Sequence, residues 1–155
     1  MLRRRTLVLG AAVLLVLAAV PLVAFVIVPQ LVRSTLVEDL PVAASADPAA
    51  VLLSGELVRI SAADYGTGAV RIVRIAEARL LRFENVDIAG APDVYVYLSD
   101  RTDGTPGRSI DLGRLKATSG SFNYPIPSEV DLGAVRSVVL WCRQFSVTIT
   151  YAALR

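Results

Sequence analysis

Leu7 to Val28 contains no charged residue, and this run divides the chain before any other feature is considered. It is about 22 residues long, and at ~1.5 Å rise per residue a helix of that length spans roughly 33 Å, enough to cross the hydrocarbon core of a bilayer. Arg3, Arg4 and Arg5 precede it and no acidic residue does. The positive-inside rule then keeps the N-terminus in the cytoplasm and sends everything after Val28 across the membrane. A cleaved signal peptide is the competing reading, with a cut after Ala18 or Ala46. Its apolar core would ordinarily be shorter, about 7–15 residues, and would end in small residues; here the run ends in Val28-Pro29-Gln30. The sequence thus predicts a single-pass signal anchor over 7–28, a basic cytoplasmic N-terminus over 1–6, and a cell-membrane location with the C-terminal part extracytoplasmic. Pro21 predicts a kink within the span.

The anchor also explains the charge. The sequence pI is about 9.0, yet with the three N-terminal arginines set aside 13 of the 16 basic residues remain, against 14 acidic ones. A near-neutral ectodomain has no electrostatic footprint for nucleic acid. The chain has no histidine, one lysine (Lys116), one cysteine (Cys142), and one methionine at its start. These absences exclude a Ser-His-Asp triad, a His-Cys dyad, a His/Cys zinc site and histidine-ligated haem. One cysteine forms no internal disulfide, so in an oxidising compartment it is buried, reactive or bonded to a partner. The sequence names no cofactor.

After the span, residues 29–48 read as a stalk, with Pro41 to Pro48 a linker of small residues; the alternative, from the helical spacing of Val32, Leu36 and Leu40, is a short amphipathic turn or two at the membrane surface. From Ala49 to Arg155 the pattern changes to short alternating runs broken by turn residues, over a length sufficient for one core and too short for two. Strands are predicted at Leu53–Ser61, Ala69–Ala76, Arg79–Asn85, Asp93–Ser99, Asp111–Lys116, Ser137–Arg143 and Phe145–Tyr151, with Phe122–Ile126 an edge at best because of Pro125. The only helical candidate is a turn near Pro127, capped by Ser128. Short strands at roughly 8–12-residue spacing without amphipathic helices between them predict an all-β fold, an antiparallel sandwich or barrel-like domain over 49–155 following the single transmembrane helix.

Within this domain Ser137-Val-Val-Leu-Trp-Cys-Arg143 is the one stretch that offers redox or nucleophilic chemistry. It is apolar, β-branched and free of Gly and Pro, so it reads as a strand buried on both faces. Alternation puts Val138, Leu140 and Cys142 on one face and Val139, Trp141 and Arg143 on the other. Tyr95 and Tyr97 likewise share one face of their strand, against Val94, Val96 and Leu98. The functional reading of Cys142 is a redox thiol, with Trp141, Tyr95 and Tyr97 as supporting residues for electron relay or ligand stacking; the plain reading is a small buried hydrophobe beside a packed aromatic face. Arg143 projects away from the thiol and need not lower its pKa. Asp100, Asp103 and Gly104 have the composition of a calcium loop without its spacing, and read as an ordinary turn. Asp87, Asp93 and Asp111 have no spacing that pairs them for acid–base work.

Three segments, in order, carry a resemblance. They are Leu81-Arg-Phe-Glu-Asn-Val leading to Ala91-Pro-Asp-Val-Tyr-Val-Tyr-Leu-Ser99; Leu112-Gly-Arg-Leu-Lys-Ala117 leading to Asn123-Tyr-Pro-Ile-Pro127; and Ser137 to Ser146 closing with Tyr151-Ala-Ala-Leu154. Together they resemble the DM-thirteen domain, a small extracytoplasmic β module described as an electron-transfer domain and found near the related DOMON domain. The resemblance covers Val51 to Leu154. It implies a β-sandwich and a redox role for the cysteine of the Trp-Cys pair, here Trp141-Cys142, as a bare thiol or a haem ligand. Ala91 stands where glycine is usual before Pro-Asp, and Thr150 where glycine is expected before the last segment. The expected function is a membrane-anchored redox module acting through Cys142 on a redox or cell-surface protein partner. The alternative is a non-catalytic binding domain in which the cysteine is structural.

Overall fold

The computed structural model describes residues 13–21, 23, 33–41 and 49–155. Residues 13–21 are helical, and among the described residues no helix is long and apolar enough to cross a membrane. The rest of the predicted anchor, 7–12, 22 and 24–28, lies outside the described residues, as do positions 42–48 of the predicted linker.

The remainder is β structure in two packed sheets. The strands are β1 (Thr35–Val37), β2 (Ala50–Glu56), β3 (Gly66–Ile75), β4 (Ala78–Ile88), β5 (Val94–Ser99), β6 (Ser109–Arg114), β7 (Ser119–Ile126), β8 (Ser137–Cys142) and β9 (Val147–Ala153). One sheet has the order β1-β7-β4-β3-β2 and the other β6-β5-β8-β9. All pairings are antiparallel except β1 with β7. The inner faces meet around Val70, Ile72, Leu81, Phe83, Phe122, Val96, Leu98, Val138 and Leu140, all without solvent exposure. Phe83 stacks on Phe122 with ring centroids 5.0 Å apart, and Tyr124 meets both edge-on, the offset geometry aromatic rings prefer. Along one side the sandwich closes like a barrel: Ser54 and Arg155 exchange backbone hydrogen bonds of 2.9 and 3.0 Å, and Val58 N–H donates to the Tyr151 carbonyl at 3.0 Å.

Residues 33–41 differ from the stalk expected there. Ser34 accepts backbone hydrogen bonds from Thr118 and Ser119, and β1 then lies parallel to β7. Gly120 permits this approach: its φ is +109°, and a Cβ there would fall 2.1 Å from the Leu36 carbonyl oxygen. Glu38 accepts from the Asn123 N–H at 2.8 Å and pairs with Lys116 at 3.0 Å. Leu40 closes a second small cluster with Val73, Ile75 and Leu80 on the outer face of the five-stranded sheet. Helical spacing of Val32, Leu36 and Leu40 was therefore a poor guide, because β1 takes its hydrogen bonds from β7, a long-range partner no local period reveals.

Other differences have local causes. β7 runs from Ser119 and lies between β1 and β4, but β1 ends opposite Ser121, so Pro125 still sits where no strand pairs on that side. The expected helical turn falls later, as a 3-10 turn at Leu132–Ala134 capped by Asp131, whose Oδ1 accepts from Gly133 N–H at 2.9 Å, rather than at Ser128. In β9 the expected alternation holds for Ile149, which is buried in the core, and fails from Thr150 onward. A bulge opposite Leu140/Trp141 shifts the register, and a one-residue shift exchanges the faces. Thr150 therefore points inward, fully buried, with its hydroxyl donating to the Val58 carbonyl at 2.8 Å. Tyr151 is half-buried, while Phe145 and Val147, expected inward, are 42% and 40% exposed at the β8–β9 turn. Thr150 also has its own glycine partner: a Cβ at Gly66 would lie 2.6 Å from its Oγ1.

Candidate functional site

β8 is the second strand from one edge of its sheet, between β5 and β9. It divides its side chains as alternation requires. Val138, Leu140 and Cys142 enter the interior, and Trp141 and Arg143 emerge on the outer face. Cys142 is 0% exposed, opposite Val94 on β5 and Val147 on β9. It is a free thiol in the apolar core. A cleft at this end of the sandwich is lined by Ser34, Pro92, Val94, Arg114, Leu115 and Thr118 among others; it reaches Val94, the cross-strand neighbour of Cys142, but not Cys142 itself.

The outer face behind the thiol is an aromatic and ionic cluster. Tyr95 is registered opposite Trp141, and Tyr97 opposite Val139. The Arg143 guanidinium lies 3.4 Å from the Tyr95 ring centroid and 5.5 Å from that of Tyr97, a cation–π arrangement. Its Nε donates to the Tyr97 hydroxyl at 2.6 Å, and its Nη2 to Asp111 Oδ2 at 2.5 Å. The Tyr97 hydroxyl and then Asp111 raise the pKa of Arg143 above the ordinary arginine value, so the charge is permanent. From β6, Arg114 approaches Tyr95 at 5.8 Å, pairs with Asp93 at 3.3 Å and donates to the Pro92 carbonyl. Trp141 and Tyr95 are half-exposed, whereas Tyr97 is nearly covered.

The structure thus places the four predicted site residues on one pair of strands but on two sides of it. Trp141, Tyr95 and Tyr97 share the outer face; the Cys142 sulfur is on the inner. Sequence reasoning did not find that Arg143, Asp111 and Arg114 complete this face. The signal for Arg143 was its phase with Trp141; for Asp111 and Arg114 there was none, because the pairing of β5 with both β6 and β8 is a property of topology. The three acids that seemed isolated each hold an arginine: Asp87 with Arg33 at 2.5 Å, Asp93 with Arg114, and Asp111 with Arg143. The Asp100–Gly107 loop is closed on itself. Arg101 and Thr105 both bond Asp103 and hold its carboxyl below the usual range, and Arg108 pairs with Asp100 at 3.4 Å. Among the described residues no group of three His, Cys, Asp or Glu side chains is placed to hold a metal.

No curated protein and no solved structure is found to match this chain. Residues 60–154 match a family model described as Electron transfer DM13. That match spans β3 to β9, the aromatic face and the buried thiol, from the β2–β3 connection to the residues after β9, and leaves out β1 and β2. The chain therefore belongs to the Electron transfer DM13 family.

Proposed function

We propose that this protein is an electron-transfer module held on the outer side of a membrane by residues 7–28, with Cys142 as its redox atom and the Trp141–Tyr95–Tyr97 face as the surface a redox partner protein meets. The family description supports electron transfer. One relation carries the residue assignment: Trp141, half-exposed outside, and Cys142, sealed inside, are neighbours in β8. A partner seated on the aromatic face stands one peptide unit from the sulfur. Thiol–disulfide exchange needs direct attack on or by sulfur, which the burial of Cys142 opposes. The exchange in this reading is therefore of one electron through the β8 strand, not of disulfides: the partner is reduced as the thiol becomes a thiyl radical and its proton leaves to solvent on local opening, and electron and proton return together on re-reduction.

A second reading is favoured by a specific observation. The thiol has apolar neighbours on its strand and across both strand pairings, and none of these side chains accepts its proton. In that reading Cys142 only fills the core, and the aromatic face binds a partner without redox change. The test uses the whole chain in detergent, as wild type, Cys142→Ala and Trp141→Phe, each checked for folding. Reductive and oxidative titration is followed by absorbance and by electron paramagnetic resonance. Redox activity present in wild type and lost in folded Cys142→Ala supports the first reading. A protein silent in every form supports the second.

A further inference from the structure

We propose that the end of the sandwich carrying the β8–β9 turn rests on the bilayer surface, with Phe145, Val147 and Ile60 dipping into the lipid interface. This rests on the anchoring by residues 7–28 proposed above. The topology defines two ends. At one lie Arg33 and Ser34, the 57–65 connection, the 89–93 loop, the 115–118 connection and the turn Arg143–Ser146; at the other lie the β3–β4 turn and the 127–136 segment, while the tip of the 100–108 loop folds back along β9, where the Gly104 carbonyl accepts from Thr148 and Asp103 and Gly104 share a cleft with Ile60. The chain enters the domain at the first end, because Arg33 is held there by Asp87 and Tyr65 and β1 runs from there parallel to β7.

Chain length sets how far that end can stand from the membrane. Four residues separate Val28 from Arg33. Fully extended at ~3.5 Å per residue they reach about 17 Å from the last residue of the apolar run. The eleven-residue strand β4 is itself about 33 Å long at ~3.3 Å per step. The tether is thus shorter than the sandwich it holds, and the Arg33 end is the one kept at the bilayer.

That end is also where apolar side chains are left uncovered. Of the large hydrophobic side chains exposed within 33–41 and 49–155, Ile60 (47%), Phe145 (42%) and Val147 (40%) lie there, while Val37 (74%) and Val51 (53%) do not. Phe145 and Val147 are exposed because Phe145 lies in the four-residue turn and Val147 is the first residue of β9, where the sheet ends. The cations at this end are already engaged: Arg33 with Asp87, Arg114 with Asp93, Arg143 with Asp111, and Arg59 over the Tyr65 ring at 4.5 Å. Attraction to anionic lipid is therefore not the driving force, and the contact is expected on neutral phosphatidylcholine.

The experiment uses the full chain in phosphatidylcholine liposomes. Trp141→Phe removes the native fluorophore, and Phe145→Trp, Ile60→Trp or, as a far-end control in the β3–β4 turn, Glu77→Trp supplies a single reporter. All three reporter sites are exposed, and folding is checked by circular dichroism. Lipid brominated on its acyl chains is expected to quench Trp at 145 and at 60 at least twofold, with reduced access to aqueous acrylamide, and to leave Trp at 77 unchanged. If the chain floats with the liposomes but 145 and 60 are quenched no more than 77, the seating is overturned while the anchoring stands. Shielding of 145 and 60 from acrylamide without bromine quenching points to contact between copies, and also overturns it. A chain that does not float overturns the anchoring and the seating together.

Discussion

The burial of Cys142 makes a quantitative demand on its chemistry. The sulfur is 0% exposed, flanked across the sheet by Val94 and Val147 and along its own strand by Leu140. A reagent reaches it only when the strands open. If that opening is the global one, and stability is about 5 kcal/mol, the low end for a domain, the open fraction is about one in several thousand, since ~1.36 kcal/mol is tenfold. The native thiol should then react with an aromatic disulfide reagent roughly 10³–10⁴-fold more slowly than the unfolded chain. Substitution tests the same packing. Cys142→Ser places a hydroxyl in apolar surroundings and should cost about 1–3 kcal/mol through an unsatisfied polar group. Cys142→Ala removes only the sulfur and should cost about 1 kcal/mol, the range of deleting one methyl-sized group. With a urea dependence of about 1.5 kcal/mol/M, the serine variant should unfold ~1.3 M earlier than wild type and the alanine variant ~0.7 M earlier. Native labelling within tenfold of the unfolded rate, or a serine variant with the wild-type midpoint, would refute the packing argument and show that the thiol has a route to solvent.

Gly120→Ala should cost about 2–3 kcal/mol, since φ +109° disfavours any L side chain and the new Cβ would collide with the Leu36 carbonyl; hydrogen exchange at the Thr118 and Ser119 amides, which donate to Ser34, should accelerate with it. Glu38 has its pKa lowered, first by the Asn123 N–H and then by Lys116. Its contribution is present above the unfolded value of 4.5 and is lost as pH falls through the lower folded value, so Glu38→Gln, costing about 0.5 kcal/mol at pH 7, should flatten the fall in thermal midpoint below that pH. Ala76 holds φ +49° in the β3–β4 turn; Ala76→Gly relieves about 1–2 kcal/mol of left-handed strain against ~0.5–1 of chain entropy and should raise stability by about 0.5–1 kcal/mol in urea titration. Arg143→Ala removes the cation from Tyr95 and the bonds to Tyr97 and Asp111; for a half-exposed group this should cost about 1 kcal/mol and alter the fluorescence of Trp141.

Much of this architecture was legible in local pattern. The phase of Ser137–Arg143 separated Val138, Leu140 and Cys142 from Trp141 and Arg143, and the phase of Asp93–Ser99 separated Val94, Val96 and Leu98 from Tyr95 and Tyr97; both divisions hold, because β8 and β5 pair without a slip along the whole length of their ladder. β9 shows the failure of the same logic. Its alternation is as regular, but the bulge opposite Leu140/Trp141 reverses the faces, and a bulge is set by the partner strand and by the Val58 carbonyl waiting for Thr150. Residues 33–41 fail for a related reason: a three-residue parallel strand has no period long enough to read.

The sequence by itself determined the residue inventory and the faces of β5 and β8: no histidine, one thiol, an indole beside it pointing the other way, and two tyrosines in phase on another strand. Only the tertiary structure decided that the tyrosines lie opposite the indole, that Arg143, Asp111 and Arg114 gather them into one surface, that the thiol is sealed, and that the segment after the apolar run is part of the sheet. The physical reason is range. Alternation is written in neighbouring side chains, whereas pairing, closure and burial depend on hydrogen bonds and packing between residues as far apart in the chain as Ser54 and Arg155.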